Sequence, residues 1–216
     1  MQHVSFSALK NWNQCPYYYK ITYVDKIKKF VGNHYTAFGT AVHEVCEKRI
    51  EDDSITNEPE MFELAFLKEL QSLPEEVRST FKAKDISDMR EQGKRLSTVA
   101  IPALREHFGE FELVSTEEDI YESIEGFEDY NFKGFIDLVI KTPDGKFHVI
   151  DWKTCSWGWN MQRKSDPMTT YQLTYYKHYY ARKHCVEMKD IETHFGLLKR
   201  TAKKDQVEIY PITSGT

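Results

Sequence analysis

The stretch YNFKGFIDLVIKTPDGKFHVIDWK, residues 130–153, decides the fold of this chain. Apolar and polar residues alternate over 130–140 and again over 147–153, the period of a strand with one buried face. Between them Pro143, Asp144 and Gly145 carry turn chemistry. A turn centred near Asp144 pairs residues whose numbers sum to 288, which puts Asp137 directly opposite Asp151. Their β-carbons would then lie about 4.5–5.5 Å apart. A two-residue turn at Asp144 and Gly145 would shift that pairing by one residue. Lys153 shares the face of Asp151, and Phe135 and Val139 share the face of Asp137. Two carboxylates facing each other on a half-buried surface repel and need compensation. A divalent cation compensates them, and hard oxygen donors suit Mg²⁺ or Mn²⁺.

Working outward, residues 5–15 begin as a helix with Ser5 or Ser7 as N-cap, and Pro16 ends it and starts a second short one. Residues 26–29 are expected as a surface loop. Val42, Val45, Cys46 and Ile50 make a helical stripe over about 36–50. Further helices are predicted at 59–70 and at 85–108, the latter kinked by Pro102 and stopped by Gly109. Strand patterns follow at 111–114 and 118–124, ahead of the hairpin. Residues 156–164 read as an irregular loop. Asp166 and Pro167 open a helix to about residue 184, and strands follow at 192–199 and 206–212. Helices, a three-strand meander, a helix and closing strands make an α+β fold with a mixed sheet covered by helices. One domain over 1–216, with a helical insert at 51–110, fits the length.

The 216 residues carry a net charge of −5, unevenly spread. Residues 44–128 hold 10 Lys/Arg against 23 Asp/Glu, residues 151–204 hold 11 against 5, and residues 1–43 hold 5 against 1. Basic flanks around an acidic middle suit a polyanion at one face. No window approaches the roughly 18 apolar residues of a membrane span, and the N-terminus lacks a signal-peptide core. The sequence therefore reads as a soluble, cytoplasmic or otherwise intracellular protein, not secreted. Cys15, Cys46, Cys155 and Cys185 form no C-x-x-C pair, and buried free thiols are expected. No P-loop appears, so the chain is not its own motor.

The strings GFID at 134–137 and IDWKT at 150–154 resemble the G-x-x-D…D-x-K core of PD-(D/E)XK nucleases. The order of the remaining motifs resembles the RecB-like branch. Ser5-x-Ser7 with Cys15-Pro16 is similar to its opening helix, FGTAVH at 38–43 to its G-x-x-x-H helix, and YQLTYY at 171–176 to its Q-x-x-x-Y helix. Residues 195–200 are similar to its closing strand. The resemblance covers most of the chain apart from the insert. It implies a restriction-endonuclease-like αβββαβ core. It further implies His43, Asp137, Asp151 and the backbone carbonyl of Trp152 as ligands for one or two Mg²⁺ or Mn²⁺ ions. Lys153 would orient or deprotonate water, and Gln172 and Tyr176, four residues apart on one helix face, would hold Lys153 or the substrate phosphate. Glu117 or Glu118 would fill the acidic position one strand earlier. Relatives with an iron–sulfur cluster use four cysteines; Cys15 matches the first and only Cys185 follows Tyr176, so no cluster is expected and Cys15 is expected buried.

The implied activity is metal-dependent hydrolysis of DNA, most simply from strand ends in recombination, repair or replication. A single-strand or flap endonuclease, or a non-cutting nucleic-acid-binding scaffold, are the alternatives. Lys164, Lys177, Lys199 and Arg200, with Arg163, Lys203 and Lys204, would track the backbone. Trp157 and Trp159 would stack on bases, while core packing is expected of Trp12, Tyr17 and Tyr19. A separate helicase or single-strand-binding or recombination protein is a candidate partner. The insert is expected to wall off the site and restrict entry to a strand end.

Overall fold

A computed structural model describes residues 2–27 and 31–213. Its strands are β1 (Gln2–Ser5), β2 (Glu112–Ile124), β3 (Phe127–Lys141), β4 (Phe147–Cys155), β5 (Ile191–Lys199) and β6 (Val207–Ile212). They form one six-stranded mixed sheet. The helices are α1 (Phe6–Gln14), α2 (Pro16–Tyr19), α3 (His34–Glu51), α4 (Glu58–Ser72), α5 (Glu75–Arg78), α6 (Ala83–Phe108), α7 (Met161–Ser165) and α8 (Pro167–His184). The run α3-β2-β3-β4-α8-β5 is the expected αβββαβ core. The loop expected at 26–29 falls partly outside the described residues.

The long strand β3 positions everything else. Antiparallel β2 pairs along one of its edges. The other edge is shared: β1 lies parallel to Tyr130–Lys133, and β4 lies antiparallel to Leu138–Lys141. Leu138 pairs with Ile150 and Lys141 with Phe147, so the register sums to 288 as the turn predicted. The ladder then stops. Residues 134–136 have a partner on the β2 side, and residues 134–137 have no described strand on the other. That window between β1 and β4 is where Asp137 sits. Beyond it β4 continues alongside parallel β5, from Phe147 against Ile191 to Cys155 against Lys199.

Local chemistry fixes the helix starts. Ser5 caps α1 by accepting from Ala8 N–H, and Asp166 caps α8 by accepting from Met168 N–H with Pro167 at the first position. Asn33 and Thr36 form a reciprocal capping box for α3. Gly109, at φ 69°, follows the last residue of α6. Helix α6 runs on through Pro102. Strand β1 and the short helices α5 and α7 are additions to the expected pattern, and the two strand segments expected at 111–124 are one strand with a register shift between Leu113 and Ser115.

Two apolar layers cover the sheet. On one side Phe38, Val42, Phe62, Phe66, Leu96 and Leu104 of α3, α4 and α6 bury Leu138, Ile140, Ile150 and Trp152. On the other, Phe6 and Leu173, Tyr179 and Tyr180 of α8 bury Val139, Val149, Phe195 and Leu197. The insert helices thus supply part of one layer. Two expectations fail here. Trp12 and Tyr17 are 55% and 72% exposed, because α1 and α2 present those faces to solvent rather than to the sheet. Cys15 is exposed too, with its Sγ accepting from Tyr18 N–H as the N-cap of α2, and of the four thiols only Cys46 is buried. Among the described residues no helix is long and apolar enough to cross a membrane.

Candidate active site

Where β3 and β4 part, the Asp137 carboxylate replaces the next ladder bond: its Oδ2 accepts from Trp152 N–H at 2.6 Å. In an extended strand a residue's N–H and C=O leave by the same edge, so the Trp152 carbonyl faces the same window. The Trp152 indole is buried beneath α3. It lies flat over β5 because position 196 is glycine; a β-carbon there would come within 2.2 Å of the ring. Helix α3 brings His43 Nδ1 to 3.5 Å from Asp137 Oδ2. One helical turn on, Glu47 lines the same cleft, with Cys46, Thr116 and Glu117. The cleft has an accessible volume of about 10 Å³, room for one water-sized species.

Across the sheet edge, the pairs Thr116 with Leu138 and Glu118 with Ile136 set Glu117 opposite Asp137. Glu117 has φ 46°, a left-handed turn within the strand. Glu118 points the other way, to Lys183 Nζ at 2.6 Å and His184 Nε2 at 2.9 Å on α8. The strand therefore puts Glu117, not Glu118, at the cleft. Glu47 was not singled out by the sequence; its place four residues after His43 on one helix face was the available signal.

Asp151 lies on the α8 side of β4 and is buried. Its Oδ1 accepts from Gln172 Nε2 at 2.9 Å, and its Oδ2 is paired with the Lys153 ammonium. Gln172 Nε2 also donates to the Tyr176 hydroxyl at 3.0 Å, and that hydroxyl is hydrogen-bonded by the backbone of Phe135. Gly134 makes room for this: a β-carbon there would lie 2.7 Å from the Tyr176 ring. So Tyr176 ties α8 to the open edge of β3, and Gln172 carries that restraint to Asp151.

The charges are arranged in opposition. Burial raises the Asp151 carboxyl above its usual range, opposed by Lys153 and reinforced by Asp137. Burial pushes Asp137 upward as well, but His43, Lys153 and the Trp152 N–H outweigh it and hold that carboxyl low. His43 is raised because the Asp137 charge outweighs its burial. Glu117 is raised by burial, then by Asp137 and Glu47. Crowded carboxylates that raise one another in this way form an electrostatic trap for a cation. The donor set of Glu117, Asp137, Asp151, a backbone carbonyl and one imidazole fits a hard divalent ion. The donor atoms of His43, Asp137 and Asp151 do not all fall within 4.8 Å of one another; among the described residues only His148, Glu192 and His194 do. Asp151 is turned towards Lys153 and Gln172.

The expected nucleic-acid contacts divide. Lys164 and Lys199 are both tied to Glu208. Arg200 bonds Gln92 and Ser156 and lies over the Tyr35 ring, and Arg163 lies over Trp159. Lys177 is half-buried on α8, and Lys203 and Lys204 are exposed. Trp159 is buried against Phe195, whereas Trp157 is 76% exposed.

Strands β3 and β4 thus part at two acids, Asp137 and the buried Asp151, with Lys153 two residues after the second, the arrangement expected of a metal-dependent phosphodiester hydrolase. The sequence model of the PD-(D/E)XK nuclease superfamily matches residues 3–211, and the chain belongs to that superfamily, whose members are divalent-metal-dependent nucleases. A crystal structure from Eubacterium rectale named "Putative exonuclease" superimposes with a TM-score of 0.64 at 11% identity, over 98% of this chain and 73% of that one. A second solved structure, SSO0001, shares 19% identity over 83% of this chain and 67% of its own, at a TM-score of 0.35. No curated protein sequence matches.

Proposed function

We propose that this protein is a Mg²⁺- or Mn²⁺-dependent deoxyribonuclease of the RecB-like branch that hydrolyses DNA from strand ends, in recombination, repair or replication. The observation that carries the reading is the opening of the β3–β4 ladder at Asp137 and Asp151, with Lys153 paired to the second acid. Asp137, Asp151, Glu117 and the Trp152 carbonyl would hold the ion, with His43 completing the set. A divalent ion bound there acidifies an attacking water and neutralises charge developing on the phosphate. Asp137 is kept ionised by His43 and the Trp152 N–H, so it remains a ligand. Lys153 donates to the water or to a non-bridging phosphate oxygen. Gln172 and Tyr176 position Asp151 and do not react.

A groove of about 470 Å³ begins at Thr154, directly after Lys153, and is lined by Tyr35, Trp157, Arg163 and Arg200. An exposed indole beside guanidinium groups suits a single strand, whose bases stack while its phosphates are neutralised. The exonuclease name carried by the Eubacterium rectale relative supports an exonuclease over a flap endonuclease. The test is end-labelled linear single-stranded DNA against a closed circle of the same sequence, with RNA alongside, in Mg²⁺ or Mn²⁺. Shortening of the linear DNA, with the circle intact, is expected. A circle cut as fast as the linear strand would replace exonuclease by endonuclease.

A further inference from the structure

The opposite face of β4 from Asp151 and Lys153 carries a second cluster of donors. His148 pairs across the parallel ladder with Glu192, and the next pair on that face is Ile150 with His194. The three side chains converge beneath the C-terminal end of α6. His148 Nδ1 is 3.1 Å from His194 Nε2. Glu192 Oε2 is 3.6 Å from His148 Nδ1 and 3.9 Å from His194 Nε2. Ligands bound tetrahedrally at about 2.0–2.1 Å lie roughly 3.3 Å apart, so two edges of this triangle match a tetrahedral face closely and the third, at 3.9 Å, needs a small rotation of the Glu192 side chain. We propose that His148, His194 and Glu192 form a second metal site for a transition-metal ion of the Zn²⁺ class, which pins β4 and β5 together.

The surroundings favour it. Thr142 Oγ1 lies 2.9 Å from His148 Nε2 and gives its own proton to Asp144 Oδ1 at 2.5 Å. It must therefore accept from His148 Nε2–H, which leaves the Nδ1 lone pair aimed at the centre. An outer partner that fixes the tautomer of a ligating histidine is the usual companion of such a site. Phe108 packs on both imidazoles, with ring centroids 4.7 Å and 5.1 Å away, and fixes their planes. The two side chains are 8% and 5% exposed. His194 turns Nε2 to the centre, and its Nδ1 is buried without a hydrogen-bond partner among the described residues. Burial keeps both rings neutral, so neither repels a cation. Glu192 is half-exposed and opens the site to solvent. His107, whose ring centroid is 6.4 Å from that of His194 on the last turn of α6, is within reach as a fourth ligand, and the helix C-terminus favours positive charge there. Two imidazoles and a carboxylate suit Zn²⁺ or Co²⁺ over the Mg²⁺ and Mn²⁺ that an all-oxygen set selects.

The test uses the full chain carrying Asp137→Asn and Asp151→Asn, so that the carboxylate cleft does not compete. Chelator-treated protein is titrated with Zn²⁺ by calorimetry and with Co²⁺ by visible absorption. One site per chain is expected, with the ligand-field bands of four-coordinate N/O ligation and no displacement by excess Mg²⁺. Glu192→Gln, at a half-exposed position, should weaken binding at least about tenfold, and Thr142→Val by a similar factor. His194→Gln should remove the Co²⁺ bands and the rise in melting temperature with Zn²⁺. No binding by the parent protein, or affinity in either Glu192→Gln or His194→Gln unchanged from it, overturns the proposal. None of these readouts depends on whether the protein cleaves DNA.

Discussion

Lys153 is the residue on which charge and chemistry meet: it pairs with Asp151 and lowers Asp137 from the same place. Replacing it with alanine should cut DNA cleavage by about 10² or more, as removal of one charged donor does. Far-UV circular dichroism should be unchanged, because the ammonium is partly in solvent. A residue on the other face gives a pH prediction. His194 is held down at about 3 by burial and then by His148 and His107, against an ordinary 6.5. Glu192 also faces it, at 3.9 Å. The unfolded chain binds a proton below pH 6.5 that the folded chain refuses, so stability is full above pH 7 and falls as the pH drops. Urea unfolding in EDTA should give about 2 kcal/mol less stability at pH 5 than at pH 8, and His194→Phe should remove most of that difference. Equal stability at both pH values would contradict the buried neutral imidazole. At this scale the sequence singled out Asp137, Asp151, Lys153 and Gln172, and the structure brings Lys153 and Gln172 to Asp151. It left Glu117 and Glu118 undecided because the left-handed residue at 117 breaks the alternation that spacing arguments rely on.

The hairpin was legible as an element because alternation on both sides of a turn at 143–145 marks it, while its register was open between two pairings until the structure showed the one that sums to 288. Strand β1 was not: four residues, QHVS, have no period to read, and they are strands only because the open edge of β3 offers them a ladder. The same openness explains why Tyr176 matters, since its hydroxyl binds Phe135 at the unladdered segment. Tyr176→Phe should leave the Phe135 backbone group without that partner and free Gln172, with a stability loss of about 0.5–1.5 kcal/mol and slower cleavage. Gly134→Ala should cost a similar 1–3 kcal/mol, because its β-carbon would press on the Tyr176 ring. Thermal melts of both variants check this. Tyr176→Phe with unchanged stability and unchanged cleavage would remove α8 from the account.

Over the whole molecule, an acidic insert layer stands beside basic segments that border the groove at Thr154 and Trp157. Binding of single-stranded DNA should weaken linearly in logarithmic salt, with each phosphate contact contributing a slope of about 0.7. Arg200→Ala should reduce the slope by roughly that amount. Lys199→Ala should change it less, since Glu208 already neutralises that ammonium. The reverse order would move the nucleic-acid path away from the groove. The sequence conveyed the charge asymmetry but not this distinction, because which lysine is already paired depends on β6 lying beside β5.

The central claim, that the acids at the parting of β3 and β4 hold the ion that drives hydrolysis, is tested most directly by one comparison. Wild-type protein and Asp151→Asn are given labelled linear DNA in Mg²⁺, in Mn²⁺ and in EDTA. Cleavage by the wild type in metal alone, and none by the variant under any condition, is the expected result; cleavage in EDTA, or by Asp151→Asn at the wild-type rate, would contradict it.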